Sequence, residues 1–210
     1  PGGQLTAAPE PLVGSHESST GPMALGDYDA DGDLDLFVGS RAIPMRYPVA
    51  ASSGLFLNQN GHFELDQANS EQLKDVGLVS AALFADLDGD GDEDLAIARD
   101  WGSILLLVND GGRFTPAADS LGLAKWTSRW RGLAAGDLNG DGRLDLVATS
   151  WGRNVVPGAD STRPLFLLHG PFGAVGEEEM LLARHDPRLG ALAPVTSYAR
   201  LRVALPEMVS

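Results

Sequence analysis

The chain predicts an all-β fold of about three four-stranded antiparallel units, and three observations predict it. An acidic nine-residue pattern occurs three times, as DYDADGDLD from Asp27, DLDGDGDED from Asp86 and DLNGDGRLD from Asp137. Each copy is preceded by small and apolar residues and followed by short apolar runs with Gly- and Asn-rich turns between them. The copies start 59 and 51 residues apart, a spacing that marks stacked supersecondary units.

Taken in order, residues 1–22 are rich in Pro, Gly, Ser and Thr and form an extended segment with at most one short strand, Gln4 to Ala8. The first unit, 23–75, opens on Ala24-Leu25-Gly26, passes through its acidic loop and continues in apolar runs at Leu34 to Val38 and Leu55 to Leu57. Asn58-Gln59-Asn60-Gly61 then supplies the positive φ angles of a hairpin before a last strand at His62 to Glu64. The second unit, 76–124, repeats this with Leu95 to Ala98, Ile104 to Val108, the turn Asn109 to Gly112 and Arg113 to Thr115. The third, 125–185, has Leu144 to Ala148, Leu165 to Leu168, the turn His169-Gly170-Pro171 and a less regular strand at Glu179 to Leu182. Runs this short and Gly-bounded are strands rather than helices. Residues 186–210 read as a C-terminal extension in which Tyr198, Leu201, Leu205 and Met208 have helical spacing that Pro206 interrupts. Repeated four-stranded meanders with a period near 50 are blades of a β-propeller. Three such units make a partial propeller, and further blades of a longer chain are expected.

Composition narrows the chemistry. The 210 residues hold 29 Asp and Glu against 15 Lys and Arg, for a formal charge of −14, and no Cys. That charge argues against a nucleic-acid partner, and no apolar run approaches the roughly 18 residues of a membrane-inserted helix. Without Cys, disulfide scaffolds, thiolate metal sites and cysteine nucleophiles are excluded. The acid is not spread evenly: the three loops hold 14 acidic residues, which leaves 15 acidic against 14 basic elsewhere.

Carboxylates packed at alternate positions repel one another unless a cation compensates them, and hard oxygen ligands select a hard cation. Asp27, Asp29, Asp31 and Asp35 offer side-chain oxygens in the first loop, Asp86, Asp88, Asp90 and Asp94 in the second, and Asp137, Asn139, Asp141 and Asp145 in the third. Asp33, Asp92 and Arg143, at the seventh position, add backbone carbonyls. Calcium, which accepts six to eight oxygens in a flexible shell, fits best, giving three Ca²⁺ sites. An EF-hand fails a direct test, because its twelfth-position Glu is replaced by Val38, Ile97 and Ala148. The last ligand arrives three positions early and strand residues follow it.

The pattern D-x-D-x-D-G-x-x-D-L, in triplicate, resembles the FG-GAP and VCBS repeats of integrin α-subunit propellers. The phrases Leu55-Phe56-Leu57-Asn58, Leu107 to Phe114 and Trp130 to Gly152 look like bacterial secreted relatives of cartilage acidic protein. The resemblance spans roughly residues 23–183. It implies a calcium-stabilised propeller, extracellular, periplasmic or on the cell surface, that binds or adheres rather than catalyses. The third unit departs from the pattern after Gly170, where Glu177-Glu178-Glu179 stands in place of Gly-Arg-Phe.

Blade topology places the acidic loops at one end of the sheets and the other connections, Arg41 to Ser53, Lys125 to Arg131 and Arg153 to Pro164, at the opposite end. All four tryptophans, Trp101, Trp126, Trp130 and Trp151, fall there, with Arg41, Arg46, Arg129, Arg131, Arg153 and Arg163. Trp and Arg dominate interface hot spots, so a protein or glycan ligand is expected on this end. The plainer reading packs these Trp between blades and pairs the Arg with Asp100, Asp119 or Asp160. No nucleophile elbow, metalloprotease, P-loop or dinucleotide signature occurs, and the four His are scattered. The sequence therefore predicts a calcium-binding interaction module, with a carbohydrate-binding propeller or an accessory domain of a larger secreted enzyme as alternatives.

Overall fold

The computed structural model describes residue 12 and residues 18–118, 121–154, 156–172 and 179–204. The strand expected at Gln4 to Ala8 lies outside the described residues.

The first unit is the expected four-stranded antiparallel meander: β1 (Ser19–Gly26), β2 (Asp35–Ala42), β3 (Gly54–Gln59) and β4 (His62–Leu65), hydrogen-bonded in that order. The β3–β4 link is a two-residue turn, with Gln59 opposite His62 and Asn60 and Gly61 at φ of 54° and 91°. That double positive φ is why Asn-Gly stands there. Between this unit and the next runs a helical turn the sequence reading lacked, α1 (Gln67–Ser70), started by Asp66, whose carboxylate accepts the Asn69 N–H at 3.1 Å.

The second unit repeats the meander with β5 (Leu78–Ala85), β6 (Asp94–Gly102), β7 (Leu105–Asn109) and β8 (Phe114–Pro116). β6 outruns β7, and its overhanging end pairs with β9 (Ser128–Gly136), Asp100 opposite Arg129 and Gly102 opposite Ser128. β9 in turn pairs with β10 (Asp145–Trp151), so one six-stranded sheet holds the second unit and half of the third.

The third unit does not close as expected. β11 (Phe166–Gly170) pairs with β12 (Glu179–Asp186) and β12 with β13 (Ala191–Pro194), a separate three-stranded sheet, instead of extending β9–β10 into a four-stranded blade. A residue difference accompanies this. In the first two units the third strand carries an asparagine at or next to its end, Asn58 or Asn109, whose Nδ2 donates to the carbonyl of Leu34 or Glu93 in the acidic loop and whose Oδ1 accepts the N–H of Gly61 or Gly112. His169 stands at that place in the third unit, an imidazole where the first two units have an amide. β13 lay in the segment read as an extension. Its turn signal is Asp186-Pro187-Arg188-Leu189-Gly190, where the Asp186 carboxylate accepts the Arg188 N–H at 2.8 Å. Tyr198 and Leu201, two residues of the helical spacing noted in the extension, fall in α2 (Tyr198–Ala204), and Leu205 and Met208 lie outside the described residues.

The core lies between the first two units. Tyr28, Phe37, Leu55, Leu73, Val79, Leu95, Ile97, Leu107 and Phe114 form one buried cluster, in which Tyr28 stacks on Phe84 at 6.1 Å and tilts against Phe114 at 5.2 Å. No described residue between Trp126 and Asn154 is fully buried.

Candidate metal centres and the opposite end

One backbone frame recurs in all three acidic loops. The first-position carboxylate accepts the N–H of the sixth-position glycine, at 3.0 Å from Gly32 to Asp27, 3.1 Å from Gly91 to Asp86 and 2.9 Å from Gly142 to Asp137. These glycines sit at φ of 95°, 102° and 85°, a region that a Cβ disfavours. The third-position side chain accepts the fifth-position N–H, in Asp29–Asp31, Asp88–Asp90 and Asn139–Asp141. The fifth accepts the seventh-position N–H at 2.9 Å each time, from Asp33, Asp92 and Arg143 to Asp31, Asp90 and Asp141. The ninth-position carboxylate, already in the next strand, reaches back to the second-position N–H: Asp35 to Tyr28, Asp94 to Leu87 and Asp145 to Leu138.

In two loops this frame gathers carboxylates. Oxygens of Asp27, Asp29 and Asp35 lie within 4.8 Å of one another, and so do those of Asp86, Asp88 and Asp94. Asp31 and Asp90 lie outside these tight triads. The Oδ1 of Asp27 is buried without a hydrogen-bond partner, while its Oδ2 takes the Gly32 N–H. A buried, unpaired anionic oxygen facing two further carboxylates is a costly arrangement that a hard cation would relieve. The residues present therefore fit calcium, with Asp27, Asp29 and Asp35 as the core of one donor set and Asp86, Asp88 and Asp94 of another.

Among the described residues the third loop forms no such triad. Its third position is Asn139, whose Nδ2 donates to Asp141 at 3.0 Å, so an amide rather than a cation answers that carboxylate. Titration follows the same division. Burial pushes Asp35 up to about 6, and the charges of Asp29 and Asp31 add to it, against the bonds from the Asn58 and Tyr28 N–H groups. Burial and neighbouring carboxylates also raise Asp29 and Asp88. Asp137 is held below the usual range, chiefly by the N–H groups of Gly142 and Gly140.

Neighbouring units brace the loops. Asn109 Nδ2 donates to the Tyr28 carbonyl at 2.8 Å, so the second unit clamps the first loop. Arg143 donates to the Asp88 carbonyl at 3.3 Å, so the third loop touches the second. These asparagines were absent from the sequence-predicted site. Their signal was present, since both apolar third strands carry an Asn at or next to their end, but only the fold shows that the residue reaches back to the loop.

At the opposite end of β6 the structure brings several predicted ligand residues together around one buried acid. Asp100, 2% exposed, accepts from Arg131 at 2.8 Å, Arg129 at 3.1 Å and Arg41 at 3.4 Å. The Arg129 guanidinium lies 4.9 Å from the Trp101 ring centre and 5.0 Å from that of Trp151, and Arg131 lies 4.2 Å from Trp151. Trp101 Nε1 donates to the Tyr47 hydroxyl at 3.1 Å. Trp101 sits at a bulge with φ of 62°, a strained backbone for an aromatic residue. The pairing of Arg with Asp100 that the plainer reading expected is thus present, as is that of Arg163 with Asp160 at 3.8 Å. Trp126 is exposed, and its carbonyl accepts the Trp130 indole N–H. Arg46 and Arg153 are exposed on the β2–β3 and β10–β11 connections. Asp119 lies outside the described residues, as do Glu177 and Glu178.

Among the described residues no helix is long and apolar enough to cross a membrane. A comparison with curated proteins returns no match. Residues 86–148, from the start of the second acidic loop to just past the third, match the family model described as FG-GAP-like repeat. Over that stretch, less than half of the chain, the sequence is similar to FG-GAP-like repeats.

Proposed function

We propose that the chain is a calcium-stabilised interaction module that works outside the cytoplasm, with its calcium loops at one end of the sheets and its partner-binding residues at the other. The observation that carries calcium is the buried, unpartnered Asp27 oxygen within a triad of carboxylates. Asp27, Asp29, Asp31 and Asp35 with the Asp33 carbonyl would hold one ion, and Asp86, Asp88, Asp90 and Asp94 with the Asp92 carbonyl a second. Asp137, Asn139, Asp141 and Asp145 with the Arg143 carbonyl would hold a third, more weakly, because Asn139 brings no charge. The bound ion supplies the positive charge that lets each loop stay folded against its sheet. Three ions would carry the formal charge from −14 to −8.

Extracellular calcium modules bind at about 10⁻⁴ to 10⁻³ M, so such sites fill outside the cell and empty in cytosol. The FG-GAP-like match supports an integrin-like extracellular role. The arginine and tryptophan end supports binding of a protein or glycan rather than catalysis. Calorimetry with calcium tests the reading: uptake at two tighter sites and one weaker site is expected, with a melting temperature that falls in chelator. Asp88→Ala should remove one tight site and leave the others largely intact, because stacked repeats are quasi-independent. Absence of calcium uptake, or a melting temperature indifferent to chelator, overturns it.

A further inference from the structure

Three cationic side chains surround one carboxylate at the Asp100 end, leaving an excess of two positive charges in an otherwise acidic protein. Each arginine commits one N–H to Asp100. The Arg131 Nε is buried without a hydrogen-bond partner, and the Arg41 side chain remains 44% exposed. A guanidinium has five donors in a planar fork, so this cluster has donors to spare for a second planar anion. Beside it opens a cleft of about 540 Å³ that shares Asp100 and Trp101 with the cluster. The cleft is walled by apolar surface from Pro48, Ala50, Val76, Leu78 and Leu167, with Arg99 and His169 also on its wall.

We propose that Arg41 and Arg131, gathered by Asp100 beside Trp101, receive a side-chain carboxylate of a partner protein, with an apolar neighbour of that residue seated in the adjoining cleft. The inference deepens the proposed function and rests on its placing of the ligand end. A peptide fits better than an acidic sugar because the tryptophan faces on which a sugar ring would stack are already covered. The Trp151 ring is occupied by guanidinium groups rather than presented as a stacking platform. Six strand residues, or about 20 Å, separate Asp94 from Asp100. That is about two Debye lengths at 0.1 M salt, so the acidic loops do not repel the ligand there.

The test titrates the calcium-loaded chain with a Glu–Tyr copolymer, following tryptophan fluorescence. Saturable binding is expected, about tenfold weaker in Arg41→Gln and in Arg131→Gln, the loss typical of a charge-assisted contact. Arg113→Gln at the calcium end should leave it unchanged. Arg41 makes a single long bond to Asp100, so Arg41→Gln stays informative even where Arg131→Gln fails to fold. Unchanged affinity in Arg41→Gln overturns the proposal, and so does tighter binding of polygalacturonate, which would assign the cluster to an acidic glycan. Binding of poly-L-lysine that is lost in Trp101→Ala keeps the ligand end and overturns only its acidic specificity. If no probe responds to any variant at this end, the ligand end falls as well.

Discussion

The first and third acidic loops share a backbone frame and differ in what lies beneath it. Both cross-brace the glycine at position 6 and the N–H at position 2 through aspartates. Yet the second-position side chain is 2% exposed in the first loop, as Tyr28, and 70% exposed in the third, as Leu138. Tyr28 is covered by Phe84 and Phe114 of the second unit, and its hydroxyl donates to Asp66 at 3.1 Å. Nothing comparable covers Leu138 among the described residues. A loop therefore builds itself from its own nine residues, while the adjacent unit supplies its burial.

The sharpest way to break this comparison is Tyr28→Ala against Leu138→Ala. Truncating the buried aromatic should cost about 3–5 kcal/mol, and truncating the exposed leucine about 0.5 kcal/mol or less, in urea unfolding with calcium present. Equal costs would mean that the third loop is buried too. Next in size is Asp35→Ala, which strands the N–H groups of Tyr28 and Asn58 in a buried setting and should cost about 3 kcal/mol in chelator. Asp145→Ala frees one exposed N–H that water can satisfy, and should cost under about 1 kcal/mol.

The pH dependence should separate metal-free from metal-loaded protein. The Asp35 carboxyl titrates near 6 when folded, above its ordinary value, so folding favours the protonated form. In chelator its contribution to stability is fully present below the unfolded value near 4, and it is lost as pH rises through about 6. Calcium needs the carboxylate, so affinity at the first site should instead fall as pH drops from 7 to 5. Melting curves across that range, with calcium and with chelator, should therefore converge toward the acidic side. The smallest effect expected is from Asn139→Asp, which restores the missing carboxylate and should tighten calcium at the third site several-fold by calorimetry.

Much of this was legible in the sequence, and what was not has a common cause. Alternating Asp with Gly at the sixth position specifies the loop because each bond in the frame spans two to seven residues of the same segment. Asn60-Gly61 specifies its hairpin for the same reason, through two positive φ angles. The first two meanders followed from runs that alternate with such turns. Residues 86–148 carry enough of that local pattern to match the FG-GAP-like repeat.

Only the tertiary structure decided which units cover which loops and where strands are shared. The overhang of β6 that pairs with β9, the split of the third unit and the Asn109 bond to Tyr28 join residues distant in sequence, and no local propensity encodes them. The gathering of Arg41, Arg129 and Arg131 around Asp100 is of the same kind. The sequence marked those arginines as neighbours of one end of the sheets, and the fold put a buried carboxylate among them. Local hydrogen bonds are written in short spacings, whereas burial and charge pairing depend on which surfaces meet, and that is settled only when the sheets pack.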